Sequence, residues 1–349
     1  MALSKPQLPI DILDEIIENL ADDKETLYST LLVSRDWCRT TVPVLWRNPF
    51  ELLPTTREQE QHKIRALLRI YFSYVNKDDL AAVKVWNVKI PKLKRPRIFD
   101  YISCMEKLND RHISTAVNIL FPELTDGFAY PIGQNMVCYA LIKQMIRRAA
   151  HLLEVSLSTH HWSILPNDHI EGFFETLLEH HPKIRKFKFR IRNFGSYDYD
   201  EDYLKYGICV ARMIPKLEHL EQVEFANFDV GLTEILKTLK SRPKALKNIK
   251  FWYCCFLDGR HEVLKEWQNV EELEEFLSVG CHHLVSSELG TLEEKMQLRV
   301  KGDLRVHLTA KPKNLENVDS AITLIANNST SSSSFSSKSL PSWLKFSKS

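Results

Sequence analysis

The sequence predicts a mixed α+β / α/β chain: helices first, then a repeating strand–helix solenoid. Three observations predict it. Residues 8–50 carry apolar side chains at helical spacing between capping and breaking residues. From about residue 152, short alternating apolar segments recur with helical segments between them. Beyond Asn327 the chain becomes Ser-rich without apolar periodicity and is expected to be disordered. The expected organisation is a three-helix module over 1–50, a helical connector over 51–150, a repeat domain over 151–310 and a tail over 311–349.

Composition limits the function. Of 349 residues, 44% are apolar and 26% charged, an ordinary globular balance. A net charge of +2 gives no global field toward nucleic acid or membrane, and neither is expected as a partner. The seven cysteines are scattered, with no CxxC pair, which argues against a disulfide framework and fits a reducing compartment. The N-terminal residues lack the apolar core of a secretory signal, and no apolar run is long enough to span a membrane. Cytoplasm or nucleus is the expected setting.

The N-terminal module begins at Leu8-Pro9, where proline suits a first helical turn. Ile12, Leu13, Ile16, Ile17 and Leu20 then mark one helical face, and Asp11, Asp14, Glu15 and Glu18 the other. Asp22 with Glu25 reads as a capping box that restarts a helix carrying Leu27, Leu31 and Leu32. Val33, Trp37 and Cys38 follow, and Pro43 is expected to break the third piece. This is more apolar surface than three short helices can bury among themselves.

Leu8-Pro9, Asp11-Ile12-Leu13, Ile16, Leu20, Val33-Ser34-Arg35, Trp37 and Leu45-Trp46 together resemble an F-box. The match covers about an eighth of the chain, and its end, VPVLWRNPF, is similar to fungal F-box proteins that continue into irregular leucine-rich repeats. The resemblance implies binding to a Skp adaptor and, through it, to a cullin ubiquitin ligase. It places Leu8, Pro9, Ile12, Leu13, Ile16, Leu31, Trp37 and Trp46 at or beside the adaptor. Ile17, Leu20 and Leu32 are assigned to the internal core.

In the connector, Glu58–Val75, Phe99–Leu108, Ile113–Leu120 and Gln134–Ala150 read as helices, and Asp78–Trp86 as a short helix or the start of a strand. The basic, proline-containing segment 90–97 reads as an exposed loop. Beyond it, five segments follow the leucine-rich-repeat template L-x-x-L-x-L-x-x-N/C-x-L, starting at Leu152, Ile184, Leu220, Leu246 and, partly filled, Leu273. Leu152, Val155 and Leu157 open the series; Leu246, Ile249, Phe251 and Cys254 fill it with the expected Cys. Helical segments 170–179, 203–214 and 232–239 lie between, and Leu304–Leu308 reads as a last strand.

No catalytic motif appears, neither a phosphate-binding glycine loop, nor GxSxG, nor HExxH. The pairs His160-His161, His180-His181 and His282-His283 fall at element ends, and adjacent strand residues face opposite ways, so no metal site is expected. No cofactor is expected either. In a repeat strand the template residues point inward, which leaves Ser156, Ser158, Lys188, Arg190, Glu224, Ala226, Lys250 and Trp252 outward. Lys188, Arg190, Lys250 and Trp252 are candidates for holding an acidic or phosphorylated client. The acidic stretch Asp198–Asp202 reads as an exposed loop. The expected role is a non-catalytic substrate receptor of a Skp–cullin–F-box ligase; the alternative is an adaptor-bound scaffold outside ubiquitination.

Overall fold

The computed structural model describes residues 8–50, 61–84, 90, 98–121, 132–159, 167–191, 200–228, 231–240, 243–254, 273, 275–279 and 307–309. Outside them lie the segment 91–97, His160-His161, Trp162, Arg192, Phe194, Asp198, Val230, Phe256, Cys281, His282-His283 and the Ser-rich tail.

Three short helices open the chain: α1 (Ile10–Asn19), α2 (Lys24–Thr30) and α3 (Arg35–Leu45). The Pro9 carbonyl accepts from Leu13 N–H and starts α1. α2 is capped by Asp23 rather than Asp22, because the Asp23 carboxylate accepts from Thr26 N–H at 3.0 Å. Ser34 caps α3 through Trp37 N–H. Pro43 does not break α3, which runs through it to Leu45. Its exposed ring lies in the last turn, so only two helical residues follow it and little helix remains to be disrupted.

Leu13, Ile17, Leu27, Val44 and Leu45 form the small core of this module. The buried hydroxyls of Thr30 and Thr41 meet at 2.8 Å and tie α2 to α3. Leu32 departs from its expected core position: it is 89% exposed. It follows the C-cap of α2, so the helical spacing that placed it inward no longer applies.

The connector supplies α4 (Gln61–Phe72), α5 (Lys77–Lys84), α6 (Asp110–Leu120) and α7 (Ile132–Arg148). It also supplies a strand, β1 (Lys107–Asn109), where a helix over 99–108 was expected. β1 pairs in parallel with β2 (Glu154–Ser158), and pairing outweighs the ambiguous local pattern. After β2 come α8 (Asn167–His180), β3 (Lys186–Arg190), α9 (Asp200–Met213), β4 (Gln222–Ala226), α10 (Leu232–Lys240), β5 (Asn248–Trp252) and β6 (Glu275–Val279). Asp200, Glu201 and Asp202 thus open α9 rather than lying in a loop; acidic residues there favour a helix start. A short strand, β7 (His307–Thr309), ends the order.

The strands lie side by side in chain order, and β1 through β6 pair in parallel. Val155, Leu157, Phe187, Phe189, Val223, Phe225, Ile249 and Phe251 are buried as the alternation predicts. They pack into one large core that runs from Phe50 to Leu273. Leu157, Phe189, Phe225 and Phe251 fall on one row of the register, and the Phe225 and Phe251 rings stack at 5.8 Å. Cys254 is buried at the corner after β5, its thiol 3.7 Å from the Phe225 carbonyl oxygen and 3.5 Å from that of Trp252. Sulfur at this corner therefore closes a turn.

Before each of β2 to β5 the backbone repeats one contact. A single carbonyl accepts two successive N–H groups of the next strand: Glu106 O from Leu153 and Glu154, Leu153 O from Arg185 and Lys186, Arg185 O from Glu221 and Gln222, Glu221 O from Lys247 and Asn248. The series starts one step earlier, in the N-terminal module. The Arg47 carbonyl accepts from Glu106 N–H at 3.0 Å and Lys107 N–H at 3.1 Å. The exit of α3 therefore stands where a preceding strand would.

Candidate functional site

Two surfaces carry the candidate residues. The first is the outside of the N-terminal module. Among the described residues, the exposed large apolar side chains are Leu8, Ile10, Ile12, Tyr28, Leu32, Val33, Ile98 and Leu204. All but the last two belong to this module. Leu8 is 54% and Ile12 45% exposed, in register with one flank of α1.

The predicted contact residues divide. Leu8, Pro9 and Ile12 are exposed; Ile16, Leu31 and Trp37 are half-buried. Leu13 is 2% exposed and packs with Ile17 one turn on, so it belongs to the module's core and not to its surface. Trp46 is also drawn inward. Its ring lies 4.3 Å from Tyr101 and 6.1 Å from Tyr71, and it packs against both the small core and the large one. Beside it, the Arg47 guanidinium binds both Glu18 carboxylate oxygens and, 3.0 Å away, Glu106. The hydrogen bond from Arg47 holds the Glu18 carboxyl below its usual range. Ile10, Tyr28 and Val33 are surface residues that periodicity did not assign, and Leu32 is one it assigned to the core; Tyr28 lies within α2, and Leu32 and Val33 lie beyond its end, where the helical spacing no longer holds.

The second surface is the sheet face opposite the buried row. The register aligns Glu154, Lys186, Gln222 and Asn248 in one row, Ser156, Lys188, Glu224 and Lys250 in the next, and Ser158, Arg190, Ala226 and Trp252 in the last. The charges of this face are largely matched. Lys186 binds Glu154 at 2.9 Å, Lys107 reaches Glu154 at 3.6 Å, and Lys188 binds Glu224 at 2.8 Å. Lys188 is therefore already paired across the strands, which lowers its availability to a ligand. Ala226, expected outward, is buried. Trp252 is half-buried, with its indole N–H buried and without a hydrogen-bond partner among the described residues.

At the C-terminal ends of β1 to β4 this face deepens into a groove of about 620 Å³. Asn109, Asp110, Arg111, Ser158, Arg190 and Asn227 stand around it. Asn109 caps α6 by accepting from Arg111 N–H at 3.0 Å. Asp110 is 1% exposed, and its carboxyl accepts from Ser158 N–H at 2.5 Å and from Ser158 Oγ at 2.9 Å. Burial pushes that carboxyl up to about 7, against the Ser158 hydrogen bonds and the Arg190 charge that favour its ionised form. Asn227, just past β4, has φ 58°, and Tyr253, at the matching place past β5, has φ 54°. These left-handed residues turn the chain off the sheet at equivalent points.

Of the predicted client residues, Arg190 lines the groove as an exposed cation with no ion pair among the described residues and its charge acting on Asp110, Lys188 lines it as one half of an ion pair, and Lys250 and Trp252 lie on the face beside it. Asn109, Asp110 and Arg111 escaped sequence analysis because β1 precedes the first template match. The one local signal was the Asn109-Asp110 pair ahead of a helical run, a helix start. Among the described residues no group of three His, Cys, Asp or Glu side chains could hold a metal ion, and no helix is long and apolar enough to cross a membrane. No protein-family model matches the chain, and no curated protein matches it.

Proposed function

We propose that the chain is the substrate-recognition subunit of a Skp–cullin–F-box ubiquitin ligase. The helices at the N-terminus bind the adaptor, and the exposed sheet face holds the client. The observation that carries this reading is the concentration of exposed apolar side chains on the N-terminal module: Leu8, Ile10, Ile12, Tyr28, Leu32 and Val33. A soluble surface rarely gathers such groups without a partner. Each Leu or Ile fully covered by an adaptor contributes roughly 1.5–3 kcal/mol. The residues implied for that contact, compared with the sequence expectation, lose Leu13 and Trp46 to the interior and gain Tyr28, Leu32 and Val33 on the outside.

The chain contributes proximity. A client held on the sheet shares a complex with the charged ubiquitin carrier, so transfer becomes effectively intramolecular.

Affinity purification tests the reading. Wild type is expected to co-purify the Skp adaptor and a cullin. Ile12→Ser with Leu32→Ser is expected to lose both while its thermal midpoint stays unchanged, since both side chains are exposed. Adaptor retained by the double variant would overturn the assignment. Client half-life then separates a ligase receptor from an adaptor-bound scaffold: only a receptor's client persists longer in the variant.

A further inference from the structure

We propose that the notch between α7 and α8 docks a short acidic segment of a second protein, with one large apolar side chain seated against Gly172 and a neighbouring carboxylate on Arg147. The notch lies in the helical layer, and no residue lines both it and the groove on the sheet face. It adds a partner beyond the adaptor and the client.

Gly172 locates the site. It sits in the interior of α8, where glycine is among the poorest helix formers. Gly207 in α9 has a steric reason to be glycine, because a Cβ there would lie 2.7 Å from the Gly231 Cα. Gly172 has none. Its φ is not in the left-handed region, and nothing lies within 4 Å of where a Cβ would stand. The bare backbone instead forms part of a notch of about 230 Å³, lined also by Tyr139, Lys143, Ile146, Arg147, Phe173 and Thr176. Glycine at such a place lets a ligand come close to the main chain.

The lining sets the chemistry of what fits. Ile146 and Phe173 are buried, and the Tyr139 and Phe173 rings stand 6.4 Å apart, so the floor is apolar. Thr176 commits its hydroxyl proton to the Gly172 carbonyl at 2.7 Å. The charged groups of the lining are both cations. Lys143 is held by Asp79 at 3.0 Å and lies 5.8 Å from the centre of the Tyr139 ring. Arg147 is exposed and carries no ion pair among the described residues. Burial and Asp79 raise the Tyr139 hydroxyl while the Arg147 charge opposes them, which sets the guanidinium near the notch. No carboxylate is among the residues that line it. Its volume of about 230 Å³ is that of roughly eight waters, room for one large side chain and not for a folded element. An apolar anchor with a carboxylate beside it fills the floor and answers the unmatched charge.

The test uses the full chain and fluorescence anisotropy of degenerate peptide pools that carry Leu flanked by glutamates, Ala flanked by glutamates, or Leu flanked by lysines. The first pool is expected to bind about tenfold or more tighter than the other two. Gly172→Met fills the notch and is expected to remove about tenfold of that binding. Its urea midpoint is expected to equal or exceed that of wild type, since methionine is the better helix former and a Cβ there meets open space. Arg147→Gln is expected to remove about tenfold as well, and Lys186→Gln, on the sheet face, less than about twofold. Equal binding of the three pools, or unchanged binding in either Gly172→Met or Arg147→Gln, would overturn the proposal. So would a lower midpoint in Gly172→Met, which would make the glycine a structural need. Sedimentation velocity is read on the same proteins. Wild type is expected to stay monomeric as concentration rises; a dimer that Gly172→Met abolishes would give the notch to a second copy and sink the acidic partner.

Discussion

Asp110 and His181 are buried groups whose protonation pulls stability in opposite directions. His181 accepts from Leu152 N–H and meets the Ile146 carbonyl at 2.6 Å, which fixes a neutral tautomer with the proton on Nε2. Burial lowers its affinity for a second proton, and His180 and His151 nearby add to that. Its contribution is therefore present above the ordinary histidine range and lost as pH falls below it. Asp110 faces Ser158, Arg111, Arg190 and the Cys138 thiol; its carboxyl is raised from 3.8 to about 7. Its contribution is complete below 3.8 and is lost as pH rises through about 7, on the order of 4 kcal/mol in all. In the wild type the two trends oppose each other between pH 5 and 8. Asp110→Asn is expected to leave stability that falls on acidification in that window, and His181→Gln stability that rises. Urea melts at four pH values check both. Neither group was visible as such in the sequence: the second His of a pair and an Asp after an Asn look like surface residues until packing encloses them.

At the scale of elements, α1 separates two jobs that one helical face had merged. Leu13→Ala is expected to cost about 2–5 kcal/mol, because Leu13 is enclosed by Ile17 and Leu27. Ile12→Ser, one residue away, should change stability by less than about 0.5 kcal/mol. Paired denaturation curves check the contrast. The packing of α9 on α10 depends on a different small feature. A Cβ on Gly207 would lie 2.7 Å from the Gly231 Cα and 2.8 Å from its carbonyl oxygen, and Gly231 itself has φ 81°. Gly207→Ala is expected to destabilise by about 1–3 kcal/mol, read as a lower urea midpoint, since backbone and not a flexible side chain must move. The strands β2 to β5 were legible because burial on one side enforces strict alternation. β1 was not. It is three residues long, too short for alternation to show, and it exists because β2 offers it a partner. The corner after β5 was legible through Cys254, whereas the surface at Leu32 was hidden by a spacing that continues past the end of its helix.

Taken whole, residues 1–308 form one compact unit in which the N-terminal module and the sheet are joined at Trp46 and Arg47. The sequence marked both ends of this arrangement but not the joint, because Trp46 reads equally well as surface or core until Tyr101 and Tyr71 enclose it. Trp46→Ala is expected to speed hydrogen exchange at the Glu106 and Lys107 amides by roughly tenfold, while the Leu153 and Glu154 amides keep their protection. Mass spectrometry of exchanged fragments checks this. The joint also has an evolutionary consequence. The Arg47 carbonyl and the two N–H groups it accepts are main-chain atoms, so replacing side chains at 47, 106 or 107 leaves those bonds in place, proline at the donor positions excepted. The distance from the N-terminal module to the outer sheet face is thus indifferent to sequence drift and sensitive to insertion or deletion. Outward residues of the sheet can change, substitution by substitution, without resetting where that face stands relative to the N-terminal helices.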